Sequence, residues 1–242
     1  MNIEKKSITV AGIQVEVVRK DIKNLHLGVY PPHGRVRVAV PVVVSDEAVR
    51  LAVLDKLAWI KRQKVKFAEQ PRQSPREMMS GESHYYLGRR YRLRVHEQSG
   101  RRKVALHGIT YLDLFIEPGT TREQREAILL KWYREQLNKL IPALLEKWQL
   151  LLGVQVVGWG IKRMKTKWGS CNREARRVWF NLELAKKPAH CLEYIVVHEL
   201  VHLLERTHSD RFVALMDQHL PGWQLIRAEL QEGLLSHQAW GE

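Results

Sequence analysis

Tyr194-Ile195-Val196-Val197-His198-Glu199-Leu200-Val201-His202, followed by Leu203-Leu204-Glu205-Arg206-Thr207-His208, is the stretch from which the rest of the chain can be read. A helix turns about 100° per residue, so His198 and His202, four positions apart, project from one face and can grip one ion. Glu199 stands beside the first of them and is not a natural third ligand. Its carboxylate can instead take a proton from a water held by the metal, whose pKa zinc lowers towards about 7. On a continuous helix His208 would lie roughly 120° around the axis from His202, outside the site. For His208 to join, the helix must end first, and the sequence predicts a turn near 205–208 before Ser209-Asp210 start a new helix. The apolar flanks on both sides of the histidines fit a helix buried under an active site. The expectation is therefore one zinc per chain on His198, His202 and His208, with a fourth position open to water and Glu199 as general base. His190, two turns earlier, is a candidate to support the site from outside the ligand set.

Forty Lys and Arg stand against 26 Asp and Glu, a net charge of +14, which favours polyanionic partners. Seven of those cations, Lys162, Arg163, Lys165, Lys167, Arg173, Arg176 and Arg177, crowd the segment 162–177 just before the metal helix, opposed by Glu174 alone. Lys165, Lys167, Ser170, Arg173 and Arg176 are candidates to bind substrate or anion there, and the segment is a candidate nucleic-acid contact. The alternative is a solvated basic hairpin. The two cysteines, Cys171 and Cys191, argue against a disulfide scaffold, fit a reducing compartment and read as small buried hydrophobes. Residues 1–6 have no apolar signal core, and no apolar run approaches the roughly 20 residues of a membrane span. A cytoplasmic protein with no membrane partner is expected.

Upstream, alternation predicts a half-buried antiparallel sheet over 7–44, with a turn at Pro31-Pro32-His33-Gly34. Ser45 caps one helix over about 46–68, and Pro71, Ser74, Pro75 and Gly81 mark a polar connection over 70–83. A second group of strands precedes Thr120-Thr121, which opens a helix over about 122–151 that Pro142 should kink or divide. Strands are expected at 154–164 and 178–184, then the metal helix from Pro188, and helices at 209–219 and 222–235. The fold class is α+β: an N-terminal β-rich region, 1–118, and a catalytic half, 119–242.

The segment Lys165-Thr166-Lys167-Trp168-Gly169-Ser170-Cys171, the string 194–203 and His208-Ser209-Asp210-Arg211-Phe212 together resemble the YgjP-like metal-dependent hydrolases, relatives of SprT-type and WLM zinc metallopeptidases. Val40-Pro41, Lys56 with Trp59-Ile60, and Tyr86-Leu87-Gly88-Arg89-Arg90-Tyr91-Arg92-Leu93 are similar to the family's N-terminal half. The resemblance implies a zincin-like catalytic half, a mixed sheet and backing helix beside a metal-binding helix, with His198, His202 and His208 as ligands and Glu199 as base. Metzincins, which share the spacing of the second and third histidines, have Gly where this chain has Glu205. Both peptidase chemistry and a nucleoside triphosphate (UTP) pyrophosphatase activity are associated with the family.

Three functions follow. A zinc metallopeptidase acting near nucleic acid would use the metal helix, the basic charge and the strand at 178–184 as an edge for an extended peptide. A metal-dependent nucleotide pyrophosphatase would use the basic segment against phosphates, although the chain lacks a Gly-rich phosphate loop. A nucleic-acid-binding protein with a structural metal site is disfavoured by three histidines without a fourth ligand.

Overall fold

The computed structural model describes residues 4–30, 34–69, 76–100, 102–164 and 167–232. Residues 31–33 of the expected turn, 70–75 of the connection expected over 70–83, Lys165 with Thr166, and the helix end at 233–235 lie outside the described residues. The chain is α+β and divides into two compact units, one within residues 1–73 and one within 74–233.

In the first unit, β1 (Glu4–Val10), β2 (Ile13–Lys20), β3 (His26–Tyr30) and β4 (Arg35–Pro41) form one sheet in the order β1-β2-β4-β3. The alternating apolar residues bury one face, with Val15, Val17, Val36, Val38 and Val40 at 1% exposure or less. The strands lie where alternation places them, but the sheet is mixed rather than antiparallel, because β2 and β4 run parallel. The helix expected over 46–68 is two, α1 (Asp46–Asp55) and α2 (Leu57–Glu69). Lys56 breaks the ladder without Gly or Pro, its backbone at φ −97°, ψ 10° lying in the bridge region. Ser45 caps α1 as expected.

The second unit holds everything that positions the site. The strands β5 (Ser83–Tyr86), β6 (Arg89–Glu97), β7 (Lys103–His107) and β8 (Tyr111–Ile116) form a sheet ordered β5-β6-β8-β7, packed on α3 (Arg122–Leu152). The boundary expected near 118 falls between β8 and α3, inside this unit. Thr121 and Gln124 make a reciprocal capping box at the start of α3, and Pro142 is accommodated within one helix that it does not divide. Beyond α3 a smaller sheet of β9 (Gly158–Lys162), β10 (Gly169–Asn172) and β11 (Arg177–Asn181) is ordered β10-β11-β9, with β11 parallel to β9 and antiparallel to β10. The chain then makes a 3₁₀ turn, Leu182–Lys186, and enters α4 (Ala189–Val201), α5 (Asp210–His219) and α6 (Trp223–Glu232).

Two contacts fix α4. At its start, the tip of the β5-β6 hairpin docks on the 3₁₀ turn: Leu87 N–H donates to the Ala185 carbonyl (2.9 Å) and Gly88 N–H to that of Lys186 (3.2 Å). Gly88 sits at φ 80°, and a Cβ there would lie 2.7 Å from Pro188 Cγ, so glycine lets the tip reach the residue that opens the helix. Along α4, the Glu193 carboxylate accepts from Lys147 Nζ (2.7 Å) and Trp148 Nε1 (2.9 Å), tying the helix to α3.

Candidate metal centre

Nine of the thirteen residues of α4 are buried, Glu199 among them, so the apolar flanks do what their composition implies. The helix ends at Val201 with His202 as its C-cap, earlier than the turn expected near 205–208. That early end lets the following residues fold back and bring His208 to the other two histidines, just before Ser209, whose hydroxyl caps α5 at Phe212. The ligand atoms of His198, His202 and His208 all lie within 4.8 Å of one another.

The donor set fits a zinc ion. His198 Nε2 and His208 Nε2 face each other at 3.2 Å. Two nitrogens at zinc–imidazole bond length in a tetrahedron are separated by about 3.3 Å. His202 directs Nδ1 at the Glu205 carbonyl (3.1 Å), which leaves Nε2 free for an ion. Burial holds His198 far below the ordinary range, at about 3, with His202, His208 and Arg227 adding repulsion. Burial also lowers His202, so both present neutral imidazoles, the form that binds metal. Phe212, buried at 1% exposure, packs its ring against all three, with centroids 5.0 Å from His198, 4.9 Å from His202 and 4.7 Å from His208.

Glu199 is 5% exposed, and burial pushes its carboxyl up to about 8 against the opposing charge of Lys167. Its space is cleared by Gly169: a Cβ there would stand 2.5 Å from Glu199 Oε1 and 2.6 Å from its Cγ. The Trp-Gly-Ser-Cys segment therefore carries β10 flush against the carboxylate. Since side chains alternate along a strand, Cys171 shares the Gly169 face and Ser170 takes the other. Burial, with Glu199 nearby, raises the Cys171 thiol to about 11, so it is a protonated neighbour and not a thiolate ligand.

The anion-binding candidates part company. Lys167 acts electrostatically on both Glu199 and His202. Ser170 lies on the β10 face away from Glu199. Arg173 donates to the Leu204 carbonyl (3.3 Å), bracing the turn after α4, and Arg176, at φ 45°, forms the β10-β11 turn. Lys165 lies outside the described residues. Of the other cations of the segment, Lys162 lies 3.4 Å above the Trp179 ring and Arg163 pairs with Glu126 at 3.6 Å. Lys162, Arg163 and Arg173 thus each contact a different element.

The strand expected as a peptide edge is not one. It ends at Asn181, its continuation is the 3₁₀ turn, and β11 lies between β10 and β9 with both sides paired. Among the described residues the edge beside Glu199 is β10. Sequence reasoning also missed Asn181, which is 3% exposed. Its amide donates to the Met164 (3.1 Å) and Lys167 (2.7 Å) carbonyls and accepts from Met164 N–H (3.3 Å), while its own N–H donates to the Trp168 carbonyl (2.8 Å). An Asn closing an alternating apolar strand was the available signal. His190 does not support the centre: it bonds Glu229 Oε2 at 2.5 Å, with Cys191 alongside, at the opposite end of α4.

A buried carboxyl beside three converging imidazoles, on a helix held between α3 and the β10-β11-β9 sheet, is the arrangement of a metal-dependent hydrolase. A family model described as YgjP-like, metallopeptidase domain, matches residues 23–233. The chain belongs to that family and is a metallohydrolase of metallopeptidase type. Among solved structures, the chain is similar to the metallopeptidase zymogen of Pyrococcus abyssi abylysin, at 23% identity and a TM-score of 0.37, over 39% of this chain and 94% of that one. It is also similar to the zymogen of Methanocaldococcus jannaschii jannalysin, at 20% identity and a TM-score of 0.36, over 39% of this chain and 97% of that one. Comparison with curated proteins gave no match. Among the described residues no helix is long and apolar enough to cross a membrane.

Proposed function

We propose that the chain is a cytoplasmic zinc metallopeptidase with a zincin-like catalytic half running from residue 119, in which His198, His202 and His208 hold one zinc and Glu199 is the general base. The observation that carries this reading is the pairing of three mutually close imidazoles with a buried carboxyl at the next position. When bound, zinc polarises a substrate carbonyl and lowers the pKa of water. Glu199 would take the proton of the attacking water and return it to the leaving amine, a role that its burial beside the three imidazoles suits. Lys167, the cation acting on both Glu199 and His202, is assigned to the developing oxyanion in preference to Ser170, which faces away. The free edge of β10 aligns an extended peptide by backbone pairing across the carboxylate. The separate partners of Lys162, Arg163 and Arg173 count against the nucleotide reading, because those three cations are taken up by other elements.

The test is to offer the zinc-loaded protein a peptide pool and a pool of nucleoside triphosphates, UTP included, in parallel, with Glu199→Gln as the blank. Peptide cleavage that the variant lacks is the expected result. Pyrophosphate release, absent from the variant and without any peptide cleavage, would replace this reading with the nucleotide one.

A further inference from the structure

Asn181 closes β11 with every hydrogen-bonding position of its side chain filled, and capping does not account for all of them. Its carboxamide oxygen accepts from Glu183 N–H (3.2 Å), which caps the 3₁₀ turn, and from Met164 N–H (3.3 Å). Its amide nitrogen donates to the Met164 carbonyl (3.1 Å) and the Lys167 carbonyl (2.7 Å). A cap needs only an acceptor, so Asp, Ser or Thr would serve the turn. Two carbonyls to be satisfied besides need an NH2 group, which among the short capping side chains only Asn supplies. At 3% exposure these bonds are shielded from water, where leaving one unmade is costly.

The donated bonds bear on the site through what they hold. The Lys167 side chain is exposed and makes no ion pair among the described residues, so its backbone sets where the ammonium stands. That backbone is gripped at two consecutive carbonyls, Lys167 by the Asn181 amide and Trp168 by Asn181 N–H at 2.8 Å. Gly169 follows directly, the residue whose missing side chain clears space for Glu199. One side chain thus fixes the short stretch that runs from the cation acting on Glu199 and His202 to the glycine against the carboxylate. None of its hydrogen bonds reaches a metal ligand.

We propose that Asn181 is a positioning residue for hydrolysis, which acts through the Lys167–Gly169 stretch to hold the Lys167 ammonium at the charge that develops on the substrate. This deepens the reading of Lys167 and Glu199 given above and rests on it.

The experiment is a double-mutant cycle on Asn181→Ala and Lys167→Met. Both kcat and KM are measured on whichever peptide or nucleotide the zinc-loaded wild type turns over and Glu199→Gln does not. Asn181→Ala should lower kcat by about 10- to 100-fold, the range for a reacting group misplaced by about 1 Å, with KM changed by less than about 3-fold. In the Lys167→Met background the same substitution should cost less than about 3-fold, because the group it positions is gone. Asn181→Asp keeps the cap and loses both donated bonds, so it should match Asn181→Ala. Trypsin reads the attachment without any substrate: cleavage after Lys167 in the native protein should be about 10-fold faster in both variants, since that carbonyl must leave Asn181 to enter a protease. Zinc content and thermal melting are the folding controls, and Asn181→Ser replaces the alanine variant if that one melts below the assay temperature. Equal losses in both Lys167 backgrounds, a rise in KM with kcat unchanged, wild-type kcat in Asn181→Asp, or unaltered cleavage after Lys167 would each overturn the proposal. Turnover of nucleotide in place of peptide, with the cycle non-additive as expected, would sink the peptidase reading and support the positioning role.

Discussion

Each end of α4 gathers three side chains able to ligate a metal, and the two ends are built differently. At the C-terminal end His198, His202 and His208 converge as imidazoles, on the floor of Phe212 and beside Glu199. At the N-terminal end are His190, Cys191 and Glu229. There His190 and Glu229 already satisfy each other at 2.5 Å, and burial with the nearby Glu229 charge raises the Cys191 thiol to about 11. The Lys187 ammonium, itself partly buried, adds a positive charge beside the pair. A metal arriving there must break a hydrogen bond, strip a proton from a reluctant thiol and tolerate a cation. At the other end it meets His198 and His202, whose burial favours the neutral, metal-binding form. Ligand types in proximity are therefore not sufficient; the protonation state that burial imposes decides which end is primed.

The largest expected effect concerns chemistry at the primed end. Glu199→Gln should retain zinc and fold but lower turnover of a verified substrate by about 10²- to 10⁴-fold, because the nearly isosteric amide cannot accept a proton. Wild-type turnover in that variant would make Glu199 a bystander.

Next in size is a direct contest between the ends. His208→Ala should weaken zinc by more than the roughly 100-fold that loss of an outer partner causes, whereas His190→Ala should leave one zinc per chain. Elemental analysis after dialysis against a graded chelator reads both, and the opposite pattern would reverse the comparison.

A smaller effect should follow from Gly169→Ala, which places a methyl 2.5 Å from Glu199 Oε1 and forces the carboxylate aside. Displacement of a reacting group by about 1 Å costs up to roughly 100-fold, so kcat should fall within that range while bound zinc is unchanged. Loss of zinc together with activity would show that β10 supports the metal and not the base.

The smallest effect isolates histidine burial from metal binding. His84 is 1% exposed, accepts from Arg76 at 2.6 Å and is held at about 3 by burial, with Arg76 and Lys186 contributing, yet it has no ligand partners. Its folded pKa lies below the unfolded value of about 6.5, so the unfolded chain binds the extra proton between the two. Its contribution is present above pH 6.5 and is lost as pH falls towards 3, at no more than about 1.4 kcal/mol per pH unit. Denaturant melts of His84→Gln should show a shallower acid limb than wild type, by the same amount with and without added zinc. A difference that vanished on adding zinc would tie His84 to the metal centre.

The elements of the site were legible before any packing was known. The His198-His202 spacing, the Ser209 cap and the alternation in 178–181 are local signals, set by helix pitch, capping and pleat over a few residues. The same locality explains what could not be read. Strand order is a long-range choice, so the sequence could not tell that β11 is central and β10 the edge, or that β2 and β4 run parallel. The single long helix over 46–68 was broken by an ordinary Lys56 that carries no punctuation. Arg173, Arg163 and Lys162 looked like one basic cluster because they are close in sequence, but their partners, the Leu204 carbonyl, Glu126 and Trp179, belong to different elements. By itself the sequence determined that His198, Glu199 and Val201 lie on one helix, which His202 caps. Only the tertiary structure decided that Gly169 makes room for Glu199, that Phe212 floors the three imidazoles and that Asn181 pins the loop bearing Lys167, because each is a contact between segments whose meeting depends on the packed fold.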